Sequence, residues 1–177
     1  MTTAWRIYLK KDIPSSPDYG EYCLKNKIAG MGWILDAHNA AIRSGKIEVN
    51  GFSDFANFAA AEGVEVNQVR LLAEEIKPGD FVWTYVGGKY YLAKVFGESR
   101  YAYDAGDEAT FYRACNRLTN IDWKLVGVRK DVDERIAKRF GRGQTLRRIF
   151  ANKNPNAAFG LKYSEEVYAR ILKNSVN

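Results

Sequence analysis

The sequence predicts an α+β fold, in which a small, strongly curved β-sheet or barrel is flanked by helices. Apolar residues alternate with polar ones at the start and in the middle of the chain, which indicates strands. Between and after these segments apolar residues recur at helical spacing. The 177 residues, of which 46% are hydrophobic, suffice for one domain with a core of its own. We expect a single domain over residues 1–177, with 129–177 as a basic, mainly helical extension packed on it.

Four segments have the alternation that is typical of half-buried strands. They are residues 4–9, 22–28, 81–96 and 119–128. The second is a strand or a turn, and the third is a hairpin, because Gly87 and Gly88 interrupt its alternation. In the fourth segment, Ile121, Trp123 and Leu125 are expected on one face. Residues 101–112 are expected to be polar and turn-like.

Helices are predicted for residues 52–61 and 66–76, and Pro78 with Gly79 ends the second of them. In the last third, three apolar residues lie four apart on a short helix, namely Val132, Ile136 and Phe140. A final amphipathic helix is predicted for residues 164–172. Ser164 is its candidate N-cap, because Glu165 and Glu166 follow immediately.

The positive charge is concentrated near the C-terminus. The chain carries a net charge of +6, yet residues 124–173 alone hold thirteen lysines and arginines against five acidic residues. No segment has the apolar length of a membrane span, and the N-terminus lacks the apolar stretch of a secretory signal. The two cysteines, Cys23 and Cys115, are expected to be reduced and buried. We therefore expect a cytoplasmic protein that meets polyanions with its last third.

No catalytic motif is evident. The single histidine, His38, has no second histidine at metal-ligand spacing, and the glycine patterns match neither a dinucleotide fingerprint nor a phosphate-binding loop. We expect no catalysis, no metal and no cofactor. An enzyme that uses His38 or a carboxylate on a nucleic-acid substrate remains an alternative.

Five short motifs follow one another along residues 4–128. They are Trp5-Arg6-Ile7, Gly30-Met31-Gly32-Trp33, residues 76–83 (IKPGDFVW), residues 88–95 (GKYYLAKV) and Ile121-Asp122-Trp123. Their order and spacing resemble the EVE/YTH branch of PUA-like domains, and within it the EVE-like domains associated with modification-dependent restriction. The resemblance implies a domain that reads a modified base in DNA or RNA by enclosing the flipped base in an aromatic cage.

The resemblance also implies a base pocket. Trp33 matches one wall of the cage, and Tyr101 or Tyr103 supplies the other, although no tryptophan occurs between residues 101 and 112. Asp36 and Asn39 are expected to contact the base edge. The predicted pocket comprises Trp33, Asp36, Asn39, Trp83, Tyr101 and Tyr103. The stretch 52–72 is an insertion relative to many members of the branch.

The cations of the last third are the predicted phosphate ligands, because arginine and lysine neutralise nucleic-acid phosphates. They are Arg135, Lys138, Arg139, Arg142, Arg147 and Arg148. The expected partner is DNA or RNA with a modified base, and not a membrane, with a nuclease or effector protein on a separate chain as a further partner. The alternative is an interaction protein, an accessory subunit of a bacterial or phage defence complex, whose basic surface docks an acidic protein.

Overall fold

The computed structural model describes residues 2–9, 18–140, 145–150 and 154–175. It has a mixed α+β fold with two sheets and several helices, which confirms the predicted class. The described strands do not close into a barrel. None of the helices in these ranges has the length and apolar character needed to cross a bilayer.

The strands are β1 (Ala4–Ile7), β2 (Ala29–Met31), β3 (Phe81–Val86), β4 (Lys89–Lys94), β5 (Tyr101–Tyr103), β6 (Asn116–Leu118), β7 (Lys124–Gly127) and β8 (Leu146–Arg148). The larger sheet has the order β7-β4-β3-β1-β8, and the smaller has the order β2-β6-β5. In the larger sheet β1 pairs in parallel with β3, and all other pairs are antiparallel. Strand β8 therefore lies at one edge of the larger sheet.

The helices are α1 (Tyr19–Lys25), α2 (Asn39–Arg43), α3 (Phe52–Ala61), α4 (Asn67–Arg70), α5 (Asp107–Phe111), α6 (Glu134–Ala137) and α7 (Ala157–Asn174). A π-helical turn, Leu71–Glu75, continues α4, and a 3-10 turn, Lys138–Phe140, continues α6. Residues 129–177 thus contribute an edge strand to the larger sheet as well as helices. Helix α7 packs against β1, β3, β4 and β7.

The parallel pair β1–β3 is tied together by one buried carboxylate. Asp80 accepts hydrogen bonds from the Trp5 indole nitrogen at 2.8 Å, from the Thr3 amide at 2.7 Å and from the Lys77 amide at 3.0 Å. Buried polar groups stabilise a fold when their hydrogen bonds are satisfied. Asp80 therefore fixes the start of β1 against the turn that precedes β3.

The two faces of the larger sheet have separate cores. One face packs Trp5 and Val82 against Met31 and Leu118 of the smaller sheet. The other face packs Trp83 against α7, beside Ile136 and Phe140. A third cluster contains Phe55 of α3 together with the buried Leu35. The two sheets therefore share a core, and α7 covers the opposite face.

Several predicted elements are confirmed. The first strand, the hairpin Phe81–Lys94 with its turn at Gly87-Gly88, and helix Phe52–Ala61 all occur where the apolar pattern places them. The second predicted helix is present as α4 and its π-helical turn. Val132, Ile136 and Phe140 are all buried, as their spacing predicts.

Other elements differ from the prediction. Residues 22–28 lie mainly in helix α1, because Asp18 caps its N-terminus through the Glu21 amide. The stretch 101–112 contains β5 and α5. Strand β7 begins only at Lys124, and Leu125 is 52% exposed, so it does not share the buried face of Ile121. The last helix begins at Ala157, which places Ser164 inside it and not at its N-cap.

Candidate nucleic-acid interface

Five of the predicted phosphate ligands line two adjoining hollows beside β8. One hollow is lined by Trp5, Leu71, Glu75, Arg139, Arg147, Arg148, Ile149 and Asn154. The other is lined by Arg135, Lys138, Arg139, Arg147, Phe150 and Asn156. Because Arg139 and Arg147 belong to both hollows, the two form one surface. We call the surface formed by Arg135, Lys138, Arg139, Arg147 and Arg148 the arginine groove. The sixth predicted ligand, Arg142, lies outside the described residues.

Buried apolar neighbours leave these cations on the solvent-facing side. On α6 and the following 3-10 turn, Ile136 and Phe140 are buried, which leaves Arg135 and Lys138 exposed and Arg139 partly exposed. On β8, Leu146 is buried while Arg147 and Arg148 are partly exposed. The groove thus forms where a helical turn and the edge of the sheet meet.

The cations of the groove differ in their ion pairs. Arg135 forms a two-pronged pair with Asp133, with N···O distances of 3.0 and 2.9 Å. Arg148 pairs with Glu75 at 3.3 Å, and Lys138 pairs with Glu134 at 3.1 Å. In the described part of the chain, no carboxylate pairs with Arg139 or Arg147. These two arginines keep their charge uncompensated.

A second arginine lies beneath Arg147. Arg6 of β1 is fully buried and stands directly opposite Arg147 in the antiparallel register of β1 and β8. Burial lowers the pKa of Arg6 to about 10, and the charge of Arg147 contributes to this change. Like charges opposite each other in a sheet are destabilising. An anion bound at Arg147 would relieve this repulsion.

The loop after β2 holds Trp33 in an unusual conformation. Trp33 has a φ of 62°, in the left-handed region that only a few per cent of non-glycine residues adopt. The side-chain amide of Asn116 donates to the carbonyls of Gly32 and Trp33, at 2.8 Å each. The Asn116 side-chain oxygen accepts a 2.7 Å hydrogen bond from the Tyr101 hydroxyl. A buried network therefore stabilises this left-handed conformation.

The two predicted base-edge residues share a shallow hollow near this loop. Its lining consists of Asp36, Asn39, Ala40, Arg43 and Ser44. Arg43 is held in place by the Ala105 carbonyl at 3.0 Å and by Asp107. Among the described residues, neither Trp33 nor the two tyrosines line this hollow. The structure therefore brings Asp36 and Asn39 together but does not place them inside an aromatic sandwich.

The two predicted tyrosine walls are occupied by helix α3. The Tyr101 ring lies 6.1 Å from that of Phe52 in an edge-on arrangement, and the Tyr103 ring lies 5.3 Å from that of Phe55. The Tyr103 hydroxyl accepts a 3.0 Å hydrogen bond from the Leu35 amide. Burial raises the pKa of Tyr103 to about 12. Helix α3 thus packs on the two tyrosines, which support the Trp33 loop.

Trp83 was also predicted to line the base pocket, and the structure corrects this prediction. Its side chain is fully buried under α7, where the indole nitrogen donates to the Ser164 hydroxyl at 2.8 Å. Its ring stacks on Tyr163 at 6.0 Å. Trp83 is therefore a core residue that a nucleobase cannot reach.

His38 is part of the packing between the loop and α3. Its Nδ1 lies 2.5 Å from a carboxylate oxygen of Glu62, and its ring lies 4.7 Å from that of Phe58. The other oxygen of Glu62 accepts from the Ala37 amide at 3.3 Å. These contacts attach the segment carrying Asp36 and Asn39 to α3.

The sequence analysis missed two residues that organise these surfaces. Asn116 lies on a strand of three residues whose pairing could not be read from local spacing. Glu75, at the end of the predicted helix 66–76, contacts Arg148, 73 positions away. Only the tertiary fold brings either residue to its partner.

Comparisons with known proteins give no match. No family model, curated protein or solved structure matches the chain.

Proposed function

We propose that this chain is a nucleic-acid-binding domain without catalytic activity, which reads a modified base. In this proposal the arginine groove binds the phosphates, and the loop after β2 contacts the base through Trp33, with Asp36 and Asn39 at its edge.

One observation carries the phosphate part of the proposal. Arg139 and Arg147 lie in the same groove, and no described carboxylate compensates either charge. Phosphate contacts dominate the affinity of proteins for nucleic acids, and arginine is well suited to them because its planar fork can donate two parallel hydrogen bonds.

Trp33 supports the base-reading part. Residues held in strained backbone conformations persist only where the surrounding structure imposes them, and they cluster at ligand sites. Trp33 is such a residue, its aromatic side chain is only partly buried, and Asn116 holds its backbone. A base approaching this loop would stack on the Trp33 ring, which is worth about 1–3 kcal/mol for aromatic side chains.

A PUA-like architecture of the EVE/YTH type belongs to the same proposal. It is supported by the positions of the motifs, because residues 76–83 lead into β3, residues 88–95 form the adjacent β4, and Gly30 to Trp33 span β2 and its loop. A nuclease or effector on a separate chain would act on the nucleic acid that this domain selects.

Fluorescence anisotropy with matched oligonucleotides tests this function. The set contains unmodified, 5-methylated and hydroxymethylated cytosine and N6-methylated adenine, in single- and double-stranded DNA and RNA. We expect a preference of about tenfold, or about 1.4 kcal/mol, for one modification. Trp33→Gly should abolish the preference and keep the bulk affinity, because glycine adopts the left-handed conformation without strain.

Arg170→Gln is the control for the loss of one surface charge, because Arg170 is an exposed cation of α7 outside the groove. It should change neither affinity nor preference. Equal binding of all modified and unmodified oligonucleotides would contradict base reading. Absence of binding to any oligonucleotide would favour an interaction protein that docks an acidic partner.

A further inference from the structure

Three arginines of the groove each lie over an aromatic ring. The guanidinium carbon of Arg135 is 3.3 Å from the ring centre of Phe159, and that of Arg139 is 4.4 Å from the centre of Phe150. The guanidinium of Arg148 lies 5.2 Å from the Trp5 ring. Each guanidinium carbon thus lies over a ring, and these contacts restrict the motion of side chains that are otherwise flexible.

Two of these guanidiniums also have part of their donor edge occupied. Arg135 uses two of its nitrogens for Asp133, and Arg148 uses one for Glu75. Their side chains are nevertheless 51% and 33% exposed. With a ring beneath the guanidinium and one edge on a carboxylate, each side chain offers a ligand its outer face and its remaining N–H donors. A planar face is a poor ligand for phosphate and a good platform for a flat ring.

Arg139 and Arg147 complement these platforms. Arg139 lies over a ring but has none of the described carboxylates on its donor edges, so it can stack and bind phosphate at once. Arg147 is not over any ring in the described residues and is free to bind phosphate. The groove therefore combines two kinds of contact, flat cationic platforms and phosphate donors.

We propose that the arginine groove takes single-stranded nucleic acid, with unpaired bases stacked on the outer faces of Arg135, Arg139 and Arg148. This inference rests on the proposed function and names the form of nucleic acid that the groove selects. Unpaired bases stack on guanidinium planes as well as on aromatic side chains. In a duplex both faces of nearly every base are covered by neighbouring base pairs, so the platforms would have nothing to bind.

The charge density of the ligand makes this inference testable. A surface that binds only phosphates favours duplex over single strand, because a duplex carries more charge per unit length and releases more counterions. Stacking of unpaired bases makes the single strand bind more tightly than the duplex. Wild-type protein is titrated with a short single strand of mixed sequence, with its duplex, and with a strand of the same length that carries abasic sites throughout the binding region.

We expect the intact single strand to bind about tenfold more tightly than the duplex and than the abasic strand. The triple variant Arg135→Lys, Arg139→Lys and Arg148→Lys keeps the charge and removes the planar faces, so it should lose most of the difference between intact and abasic strands that the wild type shows. Arg147→Lys is the matched control and should retain the difference between them. The wild-type comparison requires no variant to fold.

Salt-dependent binding in which the duplex or the abasic strand binds as tightly as the intact single strand would overturn the stacking platforms and leave phosphate binding in place. The failure of the proposed function looks different, because in that case no nucleic acid binds at all.

Discussion

The side chain of Asn116 holds the backbone of Trp33 in a left-handed conformation, through hydrogen bonds of 2.8 Å to the carbonyl oxygens of Trp33 and of Gly32. Such a conformation costs about 1–3 kcal/mol in a residue other than glycine. Asn116 is fully buried, and its amide oxygen accepts from Tyr101, so the network that offsets this cost reaches into the smaller sheet. The conformation of the loop after β2 is thus determined by a strand residue 83 positions away.

Removing the Asn116 amide should release the loop. Asn116→Ala leaves two carbonyls and one hydroxyl without their partner, and we expect a loss of about 3 kcal/mol in the free energy of unfolding. Urea denaturation measures this loss. Tyr101→Phe removes only the hydroxyl contact and should cost about 1 kcal/mol. Equal losses in the two variants would show that the contacts to Gly32 and Trp33 contribute nothing.

Arg147 should stabilise the complex with nucleic acid and lower the stability of the free protein. Arg147→Gln removes the like charge opposite the buried Arg6, so the free energy of unfolding should rise by up to about 1 kcal/mol. The same change should weaken binding to all oligonucleotides. Thermal melting and anisotropy measure the two effects, and a variant that is less stable than the wild type would contradict the repulsion.

The burial of Trp83 predicts a purely structural role. Ser164→Ala removes the acceptor of the indole N–H, which is buried under α7, and should cost about 1–3 kcal/mol of stability. Because Trp83 is fully buried and a base cannot contact it, the ratio of affinities for modified and unmodified oligonucleotides should not change. A changed ratio of affinities would show that Trp83 contributes to base recognition.

Gly160 connects the packing of α7 to the groove. A Cβ at this position would lie 2.6 Å from the Phe150 ring, on which the Arg139 guanidinium rests. Gly160→Ala should therefore displace Phe150, lower the stability and weaken nucleic-acid binding together. Gly97→Ala is the control, because a Cβ there meets no atom within 4 Å. If Gly160→Ala left binding unchanged, the Phe150 ring would not be positioning Arg139.

The parts of the fold that local pattern determines were predictable. Helix Phe52–Ala61 and the hairpin around Gly87-Gly88 follow from periodicity and turn chemistry alone. Helix α1 was not recognised, because its signal is the Asp18 cap and not a clear apolar stripe. Strand β8 was missed because a three-residue strand within a cationic run has no alternation to recognise.

The cations that line the arginine groove were predictable as a cluster, and their individual contacts were not. Clustering of positive charge near the C-terminus selected Arg135, Arg139, Arg147 and Arg148 from the sequence. The ion pair and the ring contact of Arg148 depend on Glu75 and Trp5, which are distant from it in sequence. The contacts of Tyr101 and Tyr103 could not be predicted for the same reason, since the phenylalanines that pack on them belong to helix α3.

The salt dependence of binding tests the central claim most directly. Anisotropy titrations of one single-stranded oligonucleotide at several salt concentrations give the slope of log affinity against log salt for the wild type and for the variant Arg139→Gln, Arg147→Gln. We predict that the variant binds more weakly and that its slope is smaller by about 1 for each arginine that contacts a phosphate. An unchanged slope and affinity in the double variant would contradict phosphate binding by the arginine groove.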